Sequence, residues 1–287
     1  MQNRQEKAIE RAAEVLGVLK IASTPVDPLA IAESEKPFLG VAGGDFRNRF
    51  DGQLEYHRSK NRFLLLYNSK YDARVPAGQH HPRTRFSIAH ELGHYFLEEH
   101  RAFLLRTGKA HPSKGEFLSD RTIETEADAF AAGLLMPSDL LGPLVNKGDL
   151  TFSQIEEWAN TFKTSVTSTA RRSIELSDFP CALIGVREGR VAFTFHSRAL
   201  IDGGCYPRPR GSDLPRAARS KWQAFLDGSV SGETGSALAQ DWCQTYDCDR
   251  ASEAPVDEYY YAVPSMQTLL VLLTVPEEDL FPDIDDD

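Results

Sequence analysis

Apolar positions along the chain change period several times, and each change marks an element. From Arg4 to Lys20, Ala8, Ile9, Ala12, Val15, Leu16 and Leu19 recur at helical spacing, which predicts an amphipathic helix. Pro25 and Pro28 bracket a turn, and Pro28 to Glu35 reads as a short helix that Pro37 ends. Gln53 to His57 then alternates and Phe63 to Asn68 is a short apolar run, both strand signals. Helical spacing returns at Phe86, Ala89, Gly93, Phe96 and Leu97, and again from Thr122 to a stop at Pro137. Ser153 to Phe162 and Val166 to Leu176, joined by Lys163-Thr-Ser, outline a helix-turn-helix.

The C-terminal third alternates differently. Ala182–Arg187 and Arg190–Phe195 flank Glu188-Gly189, a hairpin signal. A helix is expected from Asp213 to Leu226, a Gly/Ser-rich loop from Asp227 to Ser236, and a helix from Ala237 to Cys243. Glu258–Pro264 and Met266–Val275 read as a final strand pair. Antiparallel strands with helices on one side predict an α+β domain. The tail from Glu277 to Asp287 is acidic and reads as disordered.

Composition excludes more than it identifies. The 287 residues carry a formal net charge of −10, which argues against a nucleic-acid footprint and so against direct DNA binding by the helix-turn-helix segment. No apolar run reaches membrane-span length and the N-terminus is no signal peptide, so a cytoplasmic protein is expected. Cys181, Cys205, Cys243 and Cys248 form no C-x-x-C pair and are expected as thiols in a reducing compartment. Residues from His100 to Arg121 read as a basic loop, a solvated face.

The chemistry concentrates at His90-Glu91-Leu92-Gly93-His94. Residues four apart share a helix face, about 5–6 Å apart at Cβ, so two imidazoles can hold one tetrahedral metal. Glu91 follows the first histidine and points to the side of the pair, where it can take a proton from the attacking water instead of ligating. A catalytic zinc needs a third protein ligand and an open position. His100 sits where an extended motif has its third histidine, but Leu97 stands where that motif has its turn glycine. On a continuing helix His100 would point away from the pair. Glu124 and Asp128 share a face of the downstream helix and suit a ligand plus an acceptor for a ligating histidine's free N–H, with Glu126 nearly opposite. Tyr95, His100 and Arg85 are candidate oxyanion donors. Trp222, Trp242 and Tyr259–Tyr261 are candidates to line a pocket in the C-terminal domain.

The run Arg85–Leu97, followed by Glu124-x-x-Ala127-Asp128-x-Phe130-Ala131-x-x-Leu134-Leu135-Met136-Pro137, resembles the ImmA/IrrE family of metallopeptidases. The resemblance covers roughly residues 5–140 and extends more faintly to about 180. It implies zinc (with manganese as an alternative metal) on His90, His94 and Glu124, with Glu91 as catalytic base; the supporting role of Asp128 rests on its spacing from Glu124. It implies an α+β architecture: a zincin-like peptidase domain over 1–145, a helix-turn-helix-like connector over 146–178, a GAF-like sensor or partner domain over 179–276, and the acidic tail over 277–287. The implied activity is single cleavage of a helix-turn-helix repressor, releasing stress-response or mobile-element genes. The C-terminal domain would sense a small ligand or a partner. The competing reading is a regulator that holds metal structurally and acts by contact. Against it, a structural zinc site fills its fourth position with Cys or His, and no cysteine lies near this helix.

Overall fold

The computed structural model describes residues 4–108, 111–113, 122–228, 232–245 and 249–281. They fall into two compact units: Met1–Leu140 with Ala159–Ser165, and Leu141–Trp158 with Val166–Asp287. The segment expected as a connector contributes residues to both.

The first unit opens with α1 (Arg4–Val18), whose predicted stripe buries Ala8, Ala12, Val15 and Leu16. In α2 (Pro28–Ser34), Pro28 occupies the first turn and the Asp27 carboxylate accepts from the amides of Leu29 and Ala30, satisfying donors a helix start leaves open. The strands are β1 (Leu39–Gly44), β2 (Gly52–His57) and β3 (Arg62–Asn68), joined later by β4 (His111–Ser113). Their order is β1-β3-β2-β4, with β1 parallel to β3 and the other pairs antiparallel. β1 escaped the sequence reading because Val41-Ala-Gly-Gly44 has little strand propensity. Tyr67 replaces that propensity by lying across its register partner Gly43, where a Cβ would fall 2.3 Å from the ring.

Leu54, Phe63 and Leu65 point into a core shared with α3 (Pro82–Phe96) and α5 (Thr122–Leu135). Between those helices lies α4 (Glu98–Thr107), where a loop was expected. Its polar sequence hides the element, but Gly108 at φ +61 closes it as helix-ending glycines do. Two close approaches fix α5. A Cβ on Gly133 would stand 3.2 Å from Ile9 of α1, and one on Gly93 of α3 would stand 3.1 Å from the Cα of Ala127. Short helices α6 (Ser138–Val145), α7 (Phe152–Phe162) and α8 (Val166–Leu176) follow, the last two matching the expected helix-turn-helix outline.

The second unit is built on a five-stranded antiparallel sheet of order β6-β5-β11-β10-β8. β5 (Cys181–Arg187) and β6 (Arg190–His196) form the expected hairpin. Glu188 and Gly189 both have positive φ, as the primed two-residue turns require. Next come α9 (Arg198–Asp202), β7 (Cys205–Pro207) and α10 (Arg216–Leu226). β8 (Thr234–Leu238) and α11 (Ala239–Trp242) correct the expected loop over 227–236 and helix over 237–243. Thr234-Gly-Ser-Ala lacks the large residues of a strand, yet it pairs with the long, aromatic β10. The unit is completed by β9 (Cys243–Thr245), which pairs with β7, then α12 (Asp249–Glu253), β10 (Pro255–Val263), β11 (Thr268–Thr274) and α13 (Glu277–Leu280). The tail expected as disordered thus begins as a helical turn, and residues 282–287 lie outside the described residues.

Cys181, Cys205 and Cys243 are buried thiols, and Cys248 lies outside the described residues. Among the described residues no helix is long and apolar enough to cross a membrane.

Candidate metal centre

α3 carries the two histidines on its α5-facing side. Pro82 starts the helix at a position whose missing N–H is harmless, and His81 caps it, its Nδ1 accepting from the Arg83 amide. The imidazole Nε2 atoms of His90 and His94 converge to 3.1 Å. Facing them from α5, the Glu124 carboxylate places Oε2 3.5 Å from His90 Nε2 and Oε1 3.6 Å from His94 Nε2. One ligand atom from each of the three lies within 4.8 Å of the others, and these residues could hold a metal ion. Gly93 is what permits the approach, because the side of α3 between the histidines sits almost on the backbone of Ala127.

Asp128, one turn beyond Glu124, accepts a 2.8 Å hydrogen bond from His90 Nδ1, which leaves Nε2 to face the cluster. Burial disfavours a charged His90, but the hydrogen bonds with Asp128 and Glu124 outweigh it and push its pKa up to about 10. Two imidazoles and a carboxylate are the donor set of a hydrolytic zinc site with room for a fourth position. Glu91 is fully buried against the first residue of β2. A Cβ on Gly52 would stand 2.6 Å from Glu91 Oε1, so only glycine leaves this carboxylate its place.

Two expectations need correction. α3 does not continue through Leu97, which is extended at φ −78, ψ 118 and restarts the chain as α4. A break in the extended region needs no glycine, since any L-residue adopts it. His100 therefore turns back instead of pointing away, and its Nδ1 lies 3.1 Å from His94 Nδ1. Glu126, which the helix geometry sets away from the ligand cluster, accepts from His100 Nε2 at 3.0 Å. Burial lowers the pKa of His100 despite that carboxylate.

The oxyanion candidates are also engaged elsewhere. Tyr95 donates to Glu35 at 3.0 Å, and the Arg85 guanidinium is held by the carbonyls of Val26 and Lys163. Sequence reasoning missed Gly52 and the His100–Glu126 contact. The first stands in an Asp-Gly pair, a composition typical of turns, and the second depends on a helix break that no residue type signals.

Residues 51–173 match the IrrE N-terminal-like domain. That match spans the histidine helix, Glu124 and Asp128. Over those residues the chain carries an IrrE N-terminal-like domain, which supports the resemblance to the ImmA/IrrE family. It is also 27% identical, over 71% of its length and 70% of the relative's, to the radiation response metalloprotease IrrE of Deinococcus deserti. This similarity supports a metallopeptidase. Among solved structures, a Mycobacterium tuberculosis transcriptional regulator shares the fold over 93% of this chain and 75% of its own, with a TM-score of 0.57 at 10% identity.

In the second unit, Trp242 is wholly buried and donates its indole N–H to Glu258. The surface cavity described there is lined by Pro215, Arg216, Ala217, Ser236, Ala237 and Asp241, and by none of the aromatic residues expected at a pocket.

Proposed function

We propose that the protein is a zinc-dependent endopeptidase that cleaves a helix-turn-helix repressor and so releases stress-response or mobile-element genes. The observation that carries the reading is the convergence of His90, His94 and Glu124 on one point, with the Glu91 carboxylate buried on the same helix. In this reading His90, His94 and Glu124 hold the metal, manganese being the alternative occupant. The bound ion supplies Lewis acidity, polarising the scissile carbonyl and making water acidic enough to deprotonate near neutral pH.

The residues of this chain do the rest. Glu91 takes the proton of the attacking water and delivers it to the leaving amine. Asp128 holds His90 with its Nδ1 protonated, so that Nε2 offers its lone pair. Gly52 keeps the space in which Glu91 sits. Residues 1–145 are read as a zincin-like domain, 146–178 as a helix-turn-helix-like connector, and 179–276 as a GAF-like domain sensing a ligand or partner in the cytoplasm.

The test is cleavage of the helix-turn-helix repressor encoded beside this gene, with zinc or manganese, a chelator control and Glu91→Gln alongside. Metal-dependent cutting that is lost in Glu91→Gln is the expected result. Tight, metal-independent binding without cutting would overturn the peptidase reading in favour of regulation by contact.

A further inference from the structure

Behind His94 runs a continuous line of polar side chains that metal ligation leaves unexplained. His100 and Glu126 are 3% and 6% exposed, so both are held away from water. His94 Nδ1 meets His100 Nδ1 at 3.1 Å, and His100 Nε2 meets Glu126 Oε2 at 3.0 Å. The guanidinium of Arg4 bonds both Glu126 and Glu99 at the outer end.

Proton placement along this line follows from donor and acceptor chemistry. An ionised carboxylate only accepts, so His100 donates through Nε2. Two ring nitrogens 3.1 Å apart cannot both donate, and a neutral imidazole with its proton on Nε2 has a bare Nδ1. His94 must then donate from its own Nδ1. Its Nε2, the atom in the ligand cluster, is left with a lone pair.

We propose that Arg4, Glu126 and His100 form a positioning relay that fixes the tautomer and ring orientation of His94 for a divalent cation. The relay rests on the metal-binding reading above. It makes the two ligating histidines unequal. His90 is oriented by a carboxylate in one step, through Asp128, whereas His94 is oriented in two, through a second imidazole. The break at Leu97 is what brings that imidazole into place.

The experiment measures zinc affinity of the full chain by competition with a chromophoric chelator, and records the cobalt(II) absorption spectrum of each variant. His100→Leu fills the space without an acceptor and should weaken zinc by about 10–100-fold, the usual cost of losing a ligand's orienting partner. His100→Asn returns an acceptor near the Nδ1 position and should recover most of the loss, which a space-filling role would not predict. Glu126→Gln keeps an acceptor without the charge and should fall between wild type and His100→Leu, with the cobalt bands shifted in the same order. Arg4→Gln changes a half-exposed side chain, so it carries the test should the buried variants fail to fold. It should weaken zinc a few-fold.

Wild-type affinity in His100→Leu, or a His100→Asn as weak as His100→Leu, would overturn the relay while leaving the metal site standing. If the leucine variant does not fold, wild-type affinity in both Glu126→Gln and Arg4→Gln would overturn it. Failure of the wild type itself to take up zinc would overturn the metal reading and the relay together.

Discussion

Each unit buries a carboxylate among polar side chains, and the two arrangements differ in what they leave over. In the second unit Glu258 is 1% exposed, and its two oxygens accept from the Trp242 indole at 2.5 Å and the Tyr260 hydroxyl at 2.9 Å. Donors match acceptors and the network closes on itself. Burial, with the neighbouring Glu258 charge, pushes the Tyr260 phenol well above its usual range, so it stays a donor. In the first unit the outer atoms are matched just as carefully: His90 Nδ1 by Asp128, His94 Nδ1 by His100. The inner atoms are gathered at one point instead: one ligand atom each from His90, His94 and Glu124 lies within 4.8 Å of the others, a donor set that a cation would complete. A closed buried network stabilises a fold, and an open one with ordered outer partners points to a guest.

That contrast can be broken most sharply at Glu91. Glu91→Gln should retain zinc uptake while single-turnover cleavage falls about 10²–10⁴-fold, the usual contribution of a general base. Equal loss of metal and activity would make Glu91 a structural group like Glu258. Next in size is the guest itself. Zinc at 100 times its dissociation constant should stabilise the first unit by about 2.7 kcal/mol, and a chelator should reverse this. Hydrogen exchange should show the gain around α3 and α5 and none in β10 or β11.

Trp242→Phe removes one donor from Glu258 and should destabilise the second unit by about 1–3 kcal/mol in urea unfolding, with zinc affinity unchanged. A zinc effect would mean that the closed network is not merely structural. The smallest expected effect is at Gly93→Ala. Alanine gains about 1 kcal/mol of helix propensity. The Cβ against Ala127 costs about 1–3 kcal/mol of overpacking. The net loss in stability, between about zero and 2 kcal/mol on these figures, should come with weaker zinc binding, since the contact sets the separation of α3 and α5.

The sequence carried the residues of the candidate metal cluster because one helix face holds His90 and His94, and another holds Glu124 and Asp128, at spacings that survive folding unchanged. It carried α1, β3, the β5–β6 hairpin and the β10–β11 pair for the same reason, their periods being local. What it hid is decided by partners far along the chain. β1 and β8 are strands because β3 and β10 offer them hydrogen bonds, not because of their own small residues. His100 and Gly52 acquire their roles from contacts with His94 and Glu91, over distances in sequence at which no periodicity operates.

The extended residue Leu97 also sets how the region tolerates changes of length. One residue added after Leu97 would rotate the start of α4 by about 100° about its axis, at 3.6 residues per turn. His100 would leave His94 while His90, His94 and Glu124 kept their register. Insertions and deletions at this single joint therefore offer a way for related sequences to vary the support behind His94 without disturbing the cluster of His90, His94 and Glu124. A cluster of this kind can be retuned through spacing alone, with no residue of the cluster replaced.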